Sequence, residues 1–234
     1  MVYPEFIVLV FDSNHCHRRT WYEAKFSLMK TADELSPILK IALELRDWIA
    51  QHQDGLEIKP VNAIRVPGAL FDLAIEYQVG IVHLSSARIY GPAFALIRAQ
   101  FEAFVRGTWL RLCATPVELN RFVVSDTINQ SFKELIVAIE AHPDFSAKVL
   151  SGIHANVWKA MNSYTHAGML QVTRRMKPGS IEPNYEPAEV AEVIRAAGFF
   201  ALLALNQIAQ MADADEVVQH THDLLDGTTK DLLA

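Results

Sequence analysis

The stretch HANVWKAMNSYTHAGMLQVTRR, residues 154 to 175, sets His154, Trp158, Asn162 and His166 four residues apart in an otherwise apolar, helix-forming chain. At about 100° per residue, such a series draws a slowly drifting polar and aromatic stripe down one side of a helix. An imidazole titrates closest to neutrality of all side chains, so His166 at the end of that stripe is suited to accept and return a proton. The alternative is structural: a histidine held by hydrogen bonds, or favoured by the dipole of its helix C-terminus. Gly168 follows closely and is expected to let the helix end or bend there.

A second stripe precedes it. Arg98, Glu102 and Arg106 also recur every four residues, and Val105 and Trp109 fall beside Arg98 on the same helical wheel. Two guanidiniums around one carboxylate, bordering an apolar face, must be hydrogen-bonded, because an unpaired buried charge is costly. They read equally as an internal i,i+4 ladder or as cations that stabilise charge on a bound phosphate. Ala99, Ala103 and Gly107 on the far side let neighbouring helices approach, so this helix is expected to be central. The two stripes are expected to face each other, since each needs the other's hydrogen-bonding groups.

The elements that position these residues follow from capping and periodicity. Thr31 is expected to cap a helix with Leu35, Ile38, Leu39, Ala42, Leu45 and Ile49 on one face and Gly55 beyond its end. A second helix is expected from about Pro67 to Arg88, a third over 92–113, and shorter ones starting at Pro116 and in INQSFKELIVAIEAH. Pro143 then precedes the helix carrying His166. The prolines of MKPGSIEPNYEP stop any helix until Pro187 opens a long one to about 212, and a tail helix runs from Asp215 to Leu225. No strand alternation is expected after residue 11. The reading is all-α: a short extended N-terminal arm or strand over 1–23, then one helical bundle over 24–234.

Composition narrows the function. With 234 residues, 51% of them hydrophobic, the chain can bury a sizeable core. A formal charge of −6 is unlike a protein that grips nucleic acid over a broad face, so any such contact must be local. Arg174, Arg175 and Lys177 form the local basic run, which reads equally as a solvated helix end. Cys16 and Cys113 give no disulfide framework, which points to a cytoplasmic protein. The apolar run near residue 196 is broken by Asn206 and Gln207 and reads as a core helix rather than a membrane span. His15-Cys16-His17 and HTHD at 220–223 each lack a second half at ligand spacing, so neither a metal nor a cofactor is expected.

The segments GPAFALIRAQFEAFVRGTWL and NSYTHAGMLQVTRR…GSIEPNY resemble the two hallmark regions of a group of bacterial all-helical proteins that are themselves similar to HEPN and abortive-infection-type domains. The resemblance implies a helical bundle, often dimeric, in which arginine from one helix meets histidine from another. Many HEPN domains are metal-independent ribonucleases of toxin–antitoxin or phage-defence systems; others bind nucleotides or act as assembly modules. This chain departs from the ribonuclease pattern, because Lys159 stands where an arginine would precede His166, and lysine lacks the bidentate fork suited to phosphate. A literal match, RDWIAQH from Arg46 to His52, is of a kind expected by chance in a chain this size.

Two functions are therefore expected in competition. One is a ribonuclease of toxin or defence type, with His166 as base, Arg98 and Arg106 as phosphate cations and Glu102 orienting an arginine. Asn162, Tyr164, Trp158, His154, Arg174 and Arg175 would then contact RNA. The other is a non-catalytic helical module for a protein partner or a small ligand. A homodimer is expected from the surplus of apolar positions on the helices and from the resemblance, and an antitoxin-like partner accompanies the first function.

Overall fold

The computed structural model describes the backbone of residues 21–233 and the side chains of residues 35–225. Residues 1–20, which make up most of the expected arm and include His15-Cys16-His17, lie outside the described residues. The chain is all-α. In order it forms α1 (Trp21–Gln53), α2 (Asn62–Ser86), α3 (Tyr90–Leu112), α4 (Pro116–Ser125) and α5 (Phe132–Ile139). After a 3-10 turn at Pro143–Phe145 come α6 (Val149–Thr165), α7 (Met169–Thr173), α8 (Pro187–Met211) and α9 (Asp215–Leu233).

α3 lies at the centre, as its small residues require. A Cβ on Gly107 would sit 2.9 Å from the Phe71 ring and 3.2 Å from Leu70 Cβ, so the glycine allows α2 and α3 to close on each other. Gln100, fully buried, donates from Nε2 to the Ala74 and Ala197 carbonyls, both at 2.9 Å, and so ties α3 to α2 and to α8. Around it Phe71, Phe101, Phe104 and Phe200 are almost wholly inaccessible, each burial contributing about 1.5–3 kcal/mol. α8 is buried along most of its length. Its polar interruptions are satisfied within the fold: Asn206 donates to Thr221 Oγ1 at 2.7 Å in α9, and Gln207 accepts from Arg111 of α3 at 2.5 Å.

Several boundaries differ from the expectation. Thr31 is no cap, because α1 runs through it from Trp21; the preceding residues, rich in Ala, Glu, Lys, Leu and Met, are good helix formers. The apolar face from Leu35 to Ile49 does pack inward. α2 starts at Asn62, before Pro67, so the proline lies inside the helix and removes a backbone hydrogen bond there. The tail helix continues past Leu225 to Leu233. Against the expectation of no strand, Met176–Lys177 pairs antiparallel with Ser180–Ile181. The Pro178-Gly179 turn between them has Gly179 at φ 77°, the left-handed position that suits glycine at the second corner of a turn.

Two helix starts owe their sharpness to reciprocal caps. Thr115 with Glu118 and Ser131 with Glu134 each form a capping box, the hydroxyl accepting from the glutamate's N–H while the carboxylate accepts from the cap backbone. Those hydrogen bonds hold both carboxyls below the usual range.

Candidate functional site

α3 and α6 bring the two stripes together. Arg98 Nη1 donates to His166 Nε2, while Arg98 Nη2 pairs with Glu102 Oε1 at 2.7 Å. Glu102 Oε2 lies 3.6 Å from Arg106 Nη2, so one carboxylate sits between two guanidiniums. The face of the Arg98 guanidinium lies over Trp158, its carbon 4.9 Å from the ring centroid, in a cation–π contact. A guanidinium has no acceptor, so Nε2 must be the accepting nitrogen and the imidazole is unprotonated at that atom. The groove is half open: the Arg98 and Glu102 side chains are 20% and 22% exposed, Arg106 is 42% exposed, and His166 is at the surface.

Trp158 is a wall rather than a free platform. It stacks on Phe132 at 4.5 Å, with Phe101 edge-on and His154 close by, so the face that would hold a base is already covered. His154 belongs to that wall; burial, then the charge of Lys133, push its pKa down. Asn162 is half-buried one turn before His166, and its carboxamide makes no hydrogen bond among the described residues. The Arg98 Nε is buried without a partner as well.

Local backbone geometry places His166. It ends α6, its N–H bonding to Asn162 O at 3.0 Å, and Gly168 N–H reaches back to Ser163 O at 2.7 Å, the longer bond of a Schellman closure. The helix ends just before Gly168, and the left-handed residue of the turn is Ala167, at φ 52°. Gly168 is needed for space: a Cβ there would lie 2.5 Å from Ser163 Oγ and 3.0 Å from Ser163 Cα. Thr165 Oγ1 donates to Ala95 O at 3.1 Å and pins the end of α6 against α3.

Other expected site residues lie elsewhere. Arg174 pairs with Glu189 at the start of α8 and hydrogen-bonds Tyr164, whose pKa burial raises while Arg174 opposes it. Together with Gln171 and Tyr185 these residues fasten the α7–hairpin segment to the bundle, so Arg174 and Tyr164 position the loop behind His166. Arg175 is exposed, and Lys177 pairs with Glu182 at 3.6 Å. The literal motif does not converge. Arg46 pairs with Asp47 at 2.6 Å and approaches His83, whereas His52 stacks on Trp48 and meets His220 edge-on. Among the described residues no three His, Cys, Asp or Glu side chains are grouped to hold a metal ion, and no helix is long and apolar enough to cross a membrane. A shallow depression of about 410 Å³ along α1, lined by Leu39, Lys40, Leu43 and Asp47, shares no residue with the groove.

The fold and site define an all-α protein with an arginine–glutamate–arginine ladder closed by a histidine from a neighbouring helix. The chain belongs to a family of unknown function (DUF6988), whose model matches residues 71–232. That span contains both walls of the groove and leaves out Arg46 and His52. No curated protein and no solved structure matches the chain.

Proposed function

We propose that the Arg98–His166 groove is the phosphate site of a HEPN-like, metal-independent ribonuclease of toxin or phage-defence type, acting in the cytoplasm. The carrying observation is the contact between Arg98 of α3 and His166 at the end of α6, a cation and a proton acceptor held together at a half-open surface. In this reading the ribose 2′-hydroxyl gives its proton to His166 Nε2 as the O2′–phosphorus bond forms. The phosphorus–O5′ bond breaks, and the leaving oxygen takes a proton from water. Arg98 stabilises the charge that develops on the phosphate, Arg106 supplies a second cation, and Glu102 fixes both guanidiniums. A homodimer and an antitoxin-like partner belong to the same reading. A light-scattering mass above that of one 26.2 kDa chain is the result expected of the dimer. The decisive experiment is RNA cleavage by wild-type protein in the presence of chelator, compared with His166→Ala.

One observation favours a non-catalytic helical module. Arg98 is already engaged by His166, Glu102 and Trp158, as expected of a clamp that joins two helices. A wild-type protein that cleaves no RNA, with His166→Ala merely melting earlier, selects this second reading.

A further inference from the structure

Arg98 occupies the one lone pair that a base at His166 would use. A ligand that engages the imidazole must therefore first take Arg98 away from it, and an anion is the natural competitor for a guanidinium. The charges at the groove decide which anion fits. Arg98 and Arg106 carry two positive charges against the single negative charge of Glu102, and His166, accepting at Nε2, adds none. One negative charge on the ligand brings the half-buried groove to neutrality. A second would be left without a counter-charge, which is costly where water is partly excluded. One further group stands ready for an oxygen: the free Asn162 carboxamide, half-buried one turn before His166.

We propose that the groove takes a singly charged phosphodiester by partner exchange, Arg98 Nη1 leaving His166 Nε2 to donate to a phosphate oxygen while Glu102 keeps its hold on Nη2. The inference rests on the ribonuclease reading for its ligand, and it adds both a charge preference and an order of events. Before binding, the imidazole is latched and cannot act as a base. The anion itself opens the latch, so proton-accepting capacity appears only when a phosphate is in place. A phosphomonoester, carrying close to two charges at pH 7.5, is the wrong ligand by charge even though it offers more oxygens.

The test uses the full chain and two probes that it cannot cleave at the bond in question: a 2′-O-methyl dinucleoside monophosphate, with one negative charge, and a nucleoside 5′-monophosphate. Calorimetry at pH 7.5 is expected to show the diester binding at least about tenfold more tightly than the monoester, a difference of about 1.4 kcal/mol. Nitrogen-15 NMR of the histidines, with His166→Asn giving the assignment, reads the exchange directly. The Nε2 resonance of diester-saturated wild type is expected to move to the position it has in unliganded Arg98→Met, where the donor is gone. A monoester that binds as tightly or more tightly, or an Nε2 resonance that stays put with diester bound, overturns the inference. So does failure to bind either probe while wild type cleaves RNA and His166→Ala does not; in each of these cases the ribonuclease reading survives on its own assay. Absence of both binding and cleavage removes the two together. Should Arg98→Met fail to fold, the affinity ratio measured on wild type still decides the charge preference.

Discussion

α3 carries Arg98 and Arg111 into two different environments, and the contrast separates chemistry from architecture. Near its C-terminus Arg111 donates to Gln207 at 2.5 Å and to Gln210 at 2.9 Å; Gln210 in turn holds Asn206, which reaches Thr221 of α9. Every partner in that chain is neutral and cannot titrate, and Gln207, Asn206 and Thr221 are buried. Desolvation lowers the pKa of Arg111, and Asp144 partly offsets this. Arg98, a few turns earlier, has a carboxylate, an indole and an imidazole as partners, and its groove reaches solvent at His166 and Arg106. A half-buried cation among carboxamides joins three helices through partners that cannot titrate. A half-open cation touching a titratable group is able to exchange partners.

Substitutions on each side can break that contrast. The largest effect is expected at His166: His166→Ala should lower RNA cleavage by a factor on the order of 10²–10⁴ with little change in melting temperature, because an exposed histidine contributes little to the core. Assay of cleavage alongside a thermal melt checks it, and a large drop in melting temperature with unchanged activity reverses the contrast. Next comes Asn206→Ala, which removes a hydrogen bond from the buried Thr221 hydroxyl and one from the half-buried Gln210 carboxamide. It should cost about 1–3 kcal/mol in a denaturant titration while leaving groove activity intact.

Two smaller effects sharpen the picture around His166. Ala167→Gly should stabilise the chain by about 0.5–1 kcal/mol, since glycine occupies the left-handed position at φ 52° without the Cβ penalty but gains freedom when unfolded. Equilibrium unfolding measures this directly. The smallest effect is a pH dependence. His154 has its pKa depressed in the folded chain by burial and then by Lys133, so the unfolded chain binds the proton more readily. Stability from this residue is complete above the ordinary value of 6.5 and falls as pH drops through it. His154→Gln should flatten the stability profile below pH 6.5, and an unchanged slope would place the pH sensitivity elsewhere.

Some of this was legible in the residues themselves. The four-residue spacing of Arg98, Glu102 and Arg106 and of His154, Trp158, Asn162 and His166 places each set on one side of a helix by geometry alone, and both helices formed. The inward face of α1 and the buried character of α8 followed from apolar periodicity in the same way. TPVE and SFKE also carried readable signals, because a hydroxyl followed three residues later by a glutamate is what a capping box requires. Local chemistry governs these features, so neighbouring residues suffice to predict them.

Other features depended on what each helix packs against. The sequence shows Trp158 as an aromatic on a polar stripe; only the arrival of Phe132 and Arg98 on its faces makes it a wall. Arg174 reads as a surface cation until Glu189 of α8 comes beside it. Gly168 looks like a helix terminator by conformation, yet it is required by the closeness of Ser163, while Ala167 takes the left-handed turn. Sequence alone determined that this chain would fold into amphipathic helices and which residues would share a helix face, because hydrogen bonding and periodicity act over a few residues. Tertiary structure decided which polar groups meet and which stay open to water, because pairing across helices depends on contacts between segments as far apart as Arg98 and His166.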